Sequence, residues 1–173
     1  LLRSQLRRLN ANNENARKVC GRLDEMIRDI PGVTPPHIPA NRVGVYHKFR
    51  IRLDPKAAGV KASSIEFRDK ILAALQAEGV ESCLWEVKPV PAQKNFAEHI
   101  GYGKQCPWAC PLRDEPAPKT DPADYAVAQE LLDNSIVIGS HTFPMIAQSI
   151  EVAEYYGNAV KKVFDNLGEL FPA

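Results

Sequence analysis

Val43-Gly44-Val45-Tyr46-His47-Lys48-Phe49-Arg50-Ile51-Arg52-Leu53 is the stretch that decides the fold class. Val43, Val45, His47, Phe49, Ile51 and Leu53 alternate with Gly44, Tyr46, Lys48, Arg50 and Arg52, and a period of two marks a strand buried on one face. Successive side chains of a strand point to opposite faces, so the first set belongs to a core and the second to a polar surface. On that reading His47 is a satisfied core histidine. A half-buried strand needs neighbouring strands and a covering layer, and the flanking sequence supplies both.

Upstream, Leu2, Leu6, Leu9, Asn13, Ala16, Cys20, Leu23, Ile27 and Ile30 recur at steps of four and three, the stripe of one long amphipathic helix stopped by Pro31-Gly32. At ~1.5 Å per residue it would run about 40 Å, more than a domain of this size needs for its own core. It reads as a connector or arm. Asn10, Asn12, Asn13 and Asn15 are weak helix formers, so the helix depends on packing against something else.

Downstream, Ser63-Ser64-Ile65-Glu66 has the spacing of a capping box, Ile65, Ile71, Leu72 and Leu75 give the helix it opens an apolar face, and Gly79 closes it. Cys83 to Val87 reads as a second strand and Ser135 to Ile138 as a third. Asp121-Pro122-Ala123-Asp124 starts a helix by cap, first-turn proline and acidic third position. Ser149 opens the last helix, with Ile150, Ala153, Tyr156, Val160, Val163, Leu167 and Leu170 as its stripe. The order predicts an α+β fold: a small three-stranded antiparallel or mixed sheet, helices packed on one side, preceded by a long helix. Residues 88 to 120 are proline-rich and without period, a long excursion with one short helix near Phe96.

Composition narrows the function. With 173 residues, 45% of them hydrophobic, the chain can bury a sizeable core. Lys and Arg number 22 against 21 Asp and Glu, so no global field draws it to nucleic acid or an anionic membrane. No apolar run is long enough to span a bilayer. The opening Leu1-Leu2-Arg3-Ser4 lacks the layout of a signal peptide and an initiator Met, which predicts a cut rather than a start. Cys20, Cys83, Cys106 and Cys110 are too few and too irregular for a secreted disulfide scaffold and point to a reducing cytoplasm. Cys106-Pro107-Trp108-Ala109-Cys110 brings two thiols four positions apart, yet a tetrahedral metal site needs two more ligands that no spacing supplies. No metal is expected.

Gln5-Leu6-Arg7-Arg8-Leu9, Val45 to Asp54, Leu75-Gln76-Ala77-Glu78-Gly79-Val80, Trp85 to Pro91, Gly101 to Trp108, Ser135 to Gly139 and the helix around Tyr155 to Val163 stand in sequence order. In that order and spacing the chain resembles the DegT/StrS family of pyridoxal-phosphate-dependent sugar and aminocyclitol aminotransferases, over essentially its whole length. The resemblance rests on many weak motifs together. It implies the C-terminal small domain of a fold-type-I enzyme, residues 31–173, with residues 1–30 as the interdomain connector helix. In the family the large domain supplies the Schiff-base lysine, the acidic partner of the pyridine nitrogen and most phosphate contacts. A homodimer passes an amino group from an amino-acid donor to a keto-sugar or cyclitol. None of the lysines here stands in the family's Ser-Phe-x-x-x-Lys stretch, so the chain alone is expected neither to bind the cofactor nor to transaminate. No residue of this chain is expected to be catalytic. A free-standing binding or regulatory module is the alternative.

Candidate substrate-binding residues are Lys88, Tyr102, Lys104, Trp108 and His141. Lys88 either meets a phosphate or carboxylate or is a surface lysine after a strand. Tyr102, Lys104 and Trp108 offer two aromatics and a cation, groups that hold a ring-shaped or phosphorylated ligand. His141, in Ser140-His141-Thr142-Phe143-Pro144, falls where family members carry a loop facing the large domain. The resemblance breaks at Pro91, where many members have a histidine, and that histidine's role does not transfer. Tyr46, Lys48, Arg50 and Arg52 either line a cleft for an anionic group or form a solvated sheet face under the first helix.

Overall fold

The computed structural model of the chain describes residues 1–103, 106–110, 112, 115, 121–140 and 142–172, the side chain of Pro122 excepted. Two compact units emerge: Leu1–Trp85 with Asn134–Ala173, and the excursion Glu86–Asp133. In chain order the elements are α1 (Leu2–Ile27), β1 (Val33–Thr34), β2 (Phe49–Leu53), α2 (Ser64–Ala77), β3 (Ser82–Cys83), α3 (Lys94–Ala97), α4 (Ala126–Asp133), β4 (Ser135–Ile138), α5 (Ile150–Asp165) and α6 (Leu167–Leu170). Short 3-10 turns occupy Val90–Ala92, Pro122–Tyr125 and Met145–Ala147.

The fold is α+β, with one open antiparallel sheet in the order β1-β2-β4-β3 and helices packed to one side. Phe49 pairs with Ile138, Ile51 with Ile136 and Leu53 with Val33, so these six side chains share one face. That face is the core. It meets Val19, Leu23 and Ile27 of α1, Phe67, Ile71 and Leu75 of α2, and Ala153, Val160 and Val163 of α5. Gly157 is needed where α5 crosses α1, because a Cβ there would stand 2.7 Å from the Met26 sulfur.

Several boundaries differ from the sequence expectation. Four strands form rather than three, since Val33–Thr34 adds a two-residue edge to β2. The strand expected from Val43 begins only at Phe49. Its partner β4 reaches Phe49 to Arg52 and no further, and Tyr46 has φ 45°, a left-handed conformation that breaks an extended run. His47 therefore lies exposed, not in the core as its place in the alternation predicts. The strand expected over Cys83 to Val87 shrinks to Ser82–Cys83, the two residues that β4 pairs.

Local signals in the sequence do act as read. The Ser63 hydroxyl accepts the Glu66 backbone N–H at 3.2 Å and caps α2. At the other end Gly79 takes φ 81°, and the Val80 N–H reaches back to the Leu75 carbonyl at 2.9 Å. Asp121 accepts the Ala123 N–H at 2.9 Å, and α3 carries Phe96 as expected.

The apolar stripe of α1 is covered only from Ala16 onward, where it packs on α5 and on the turn Met145–Ala147. Asn15 is part of that seam: its amide donates to the carbonyls of Ile146 and Gln148 at 2.9 and 3.0 Å. Leu2, Leu6 and Leu9 are 73%, 58% and 47% exposed.

Candidate functional site

Two groups of side chains carry the chemistry singled out in the sequence, one in each unit. In the excursion, Trp108 is the centre. His99 stacks on its ring at 4.9 Å with the planes 22° apart, Phe96 of α3 meets it edge-on at 5.8 Å, and the indole N–H donates to the Ile100 carbonyl at 3.1 Å. His99 presents its ring from a left-handed backbone, φ 50°. Trp108 is thus oriented by three contacts before any ligand arrives.

Tyr102 is 99% exposed on a turn closed by its own N–H to the Cys106 carbonyl at 2.8 Å and by the Cys106 N–H to the Gly103 carbonyl at 3.0 Å. Gly103, at φ 114°, makes that turn possible. Lys88 is exposed. Lys104 and His141 lie outside the described residues. The structure therefore brings Trp108 together with Phe96 and His99, which the sequence did not nominate. Only the short helix around Phe96 was readable; a stack between residues nine apart in an aperiodic stretch leaves no signature. Among the described residues no group of three His, Cys, Asp or Glu side chains is arranged to hold a metal ion.

The second group is the face of the sheet opposite the core. Arg50 and Arg52 alternate along β2 with Phe49, Ile51 and Leu53, and the Arg50 guanidinium donates to the Ser135 hydroxyl at 2.8 Å. Lys48 precedes the strand, its ammonium 3.4 Å from the centre of the Trp85 ring, while His47 meets the same ring edge-on at 6.3 Å. Tyr46 does not join this face. Its ring stacks on Phe49 at 6.1 Å, and its phenol is pushed above the usual range by burial first and by the nearby Cys20 and Asp24, with Arg28 opposing. Nor does α1 cover the arginines, because Val19, Leu23 and Ile27 pack on the other side of the sheet.

What these groups can do is bind. Cations, stacked rings and exposed backbone turns suit an anionic or ring-shaped ligand. Of the lysines that line cavities of the first unit, Lys70 is held by Glu66 at 3.2 Å and the Leu170 carbonyl at 3.1 Å and Lys162 by Glu78 at 2.7 Å, while Lys61 has no such partner among the described residues.

No curated protein matches the chain. Among solved structures it is similar to a DegT DnrJ EryC1 StrS aminotransferase from Brucella abortus, at 19% identity and TM-score 0.61, over 93% of this chain and 33% of that one. It is also similar to the aminotransferase TlmJ from Streptoalloteichus hindustanus, at 17% identity and TM-score 0.62, over 95% and 35%. DesV of S. venezuelae, solved in complex with a ketimine intermediate, matches at 16% identity and TM-score 0.65, over 95% and 35%. These likenesses show the fold, and the chain spans about a third of the length of each. The sequence model of the DegT/DnrJ/EryC1/StrS aminotransferase family matches residues 1–115, and the chain belongs to that family.

Proposed function

We propose that this chain is the C-terminal small domain of a pyridoxal-phosphate-dependent aminotransferase that passes an amino group from an amino-acid donor to a keto-sugar or cyclitol. The observation that carries the proposal is the combination of family membership with a match that spans only about a third of much longer aminotransferases. The cofactor, with its lysine and phosphate contacts, is assigned to a large domain that this chain does not contain. The chain by itself is inactive. Cys20, Cys83, Cys106 and Cys110 as free thiols support a cytoplasmic enzyme, and a homodimer is the assembly the family implies.

In this reading the small domain binds and orients. The Tyr102 ring, raised on its turn, and the Trp108 ring, fixed by His99 and Phe96, offer apolar surface to a sugar or cyclitol ring. Lys88 and Lys104 of the same excursion supply positive charge to its anionic groups, and His141 is the substrate-binding candidate of the first unit. The uncovered Leu2, Leu6 and Leu9 of α1 meet the large domain, which accounts for a helix longer than this domain's core requires.

The test is kinetic and uses the intact protein. Alanine at Lys88 and at Lys104 lowers kcat/KM for the sugar acceptor and leaves cofactor binding unchanged. Unchanged kinetics in both variants would return the excursion to an idle surface loop. If the intact protein proves to end without a cofactor-binding domain, the alternative of a free-standing regulatory module takes its place.

A further inference from the structure

The first unit carries a cavity of about 680 Å³ bounded by Ala58 to Lys61, by Glu66 and Lys70 of α2, and by Leu167, Gly168, Phe171 and Pro172. That volume falls in the range of small-molecule sites. One part of its wall is apolar: Ala58, Val60, Leu167 and the Phe171 ring, which is fixed by packing on Phe67 at 5.3 Å. The charges are distributed unevenly. Lys70 is used internally, 3.2 Å from Glu66, donating to the Leu170 carbonyl and lying 4.7 Å over Phe171. Glu66 is neutralised by it. Lys61 has no hydrogen bond or ion pair to any described residue, so the cavity keeps one uncommitted ammonium.

Gly168 of α6 lines the same cavity. A Cβ built on it meets no atom within 4 Å, so a larger side chain at this position would enter open space.

We propose that this cavity is a binding site for a small amphipathic carboxylate, its apolar body against Phe171, Leu167 and Val60 and its carboxylate paired with Lys61. Nothing in the aminotransferase reading uses this place, which is built from the loop 58–61 and the C-terminal turn. The occupant is a mono-anion, because among the described lining residues Lys61 is the one ammonium left uncommitted, and a doubly charged ligand finds no second such cation there.

Benzoate is the probe. Titrated into the 15N-labelled 173-residue chain, it shifts backbone amides of residues 58–61, 66–70 and 167–172 in a saturable way. Benzyl alcohol and benzylamine bind at least ten-fold more weakly. Lys61→Glu and Gly168→Leu each weaken benzoate at least ten-fold, and Gly168→Ala raises the Tm of the free chain because alanine is the better helix former. Non-saturable shifts, shifts centred elsewhere, equal binding of the alcohol, or full binding by Lys61→Glu with its spectrum otherwise native would each overturn the proposal.

Discussion

The ammonium of Lys48 lies 3.4 Å from the centre of the Trp85 ring. One residue stands just before β2 and the other just after β3, so this cation–π contact, with the His47 ring edge-on to the same indole, joins two chain segments that no strand ladder joins. Replacing Lys48 by Met keeps the aliphatic length and removes the charge. The expected loss is about 0.5–1 kcal/mol in urea unfolding, and Lys48→Arg should restore it. The two variants unfolding alike would show that the charge contributes nothing.

Gly157 and Met26 set the closeness of α5 and α1. A Cβ at position 157 would stand 2.7 Å from the Met26 sulfur and 2.9 Å from its Cβ, and the latter atom cannot swing aside. Gly157→Ala should cost about 1–3 kcal/mol by overpacking, against the usual helix gain from alanine. Met26→Ala in the same chain should recover part of the loss. An additive pair of destabilisations would refute the contact.

The Ser63 hydroxyl satisfies an amide that α2 cannot satisfy itself. Ser63→Ala should lower stability by about 1 kcal/mol, Ser63→Asp by much less. Thermal unfolding of the two variants measures the difference.

Cys20 is fully buried in the core, and burial pushes its thiol from 9.0 to about 12. A thiol whose folded pKa is raised adds stability that is complete below about pH 9 and is lost as pH climbs toward 12. At pH 8 Cys20 should resist iodoacetamide until urea unfolds the chain, while the exposed Cys106 reacts at once. Peptide mapping of the alkylated protein decides it.

How much of this was readable beforehand follows from the range of the interactions. Ser63 with Glu66, Gly79 and Asp121 act within a few residues, so their roles stand in the sequence and reappear in the structure. The alternation of Phe49 to Leu53 was equally plain, because one face of β2 is core. It misled at Val43 to His47, where the period continues but no partner strand does. β1 is two residues long and exists only because β2 offers an edge; no pattern of that length is recognisable. In the excursion, the His99 and Phe96 contacts that fix Trp108 cross an aperiodic segment, and only coordinates reveal them. Family membership was legible because it rests on the order of many motifs, not on any one contact.

Under the proposed function this domain serves an aminotransferase without itself holding the cofactor. Incubation of the 173-residue chain with pyridoxal phosphate, followed by borohydride reduction and peptide mapping, tests it most directly. The expected result is scattered, substoichiometric labelling of surface lysines such as Lys18 and Lys161 and no aldimine absorbance that saturates. A stoichiometric pyridoxyl adduct at one lysine of this chain would contradict it.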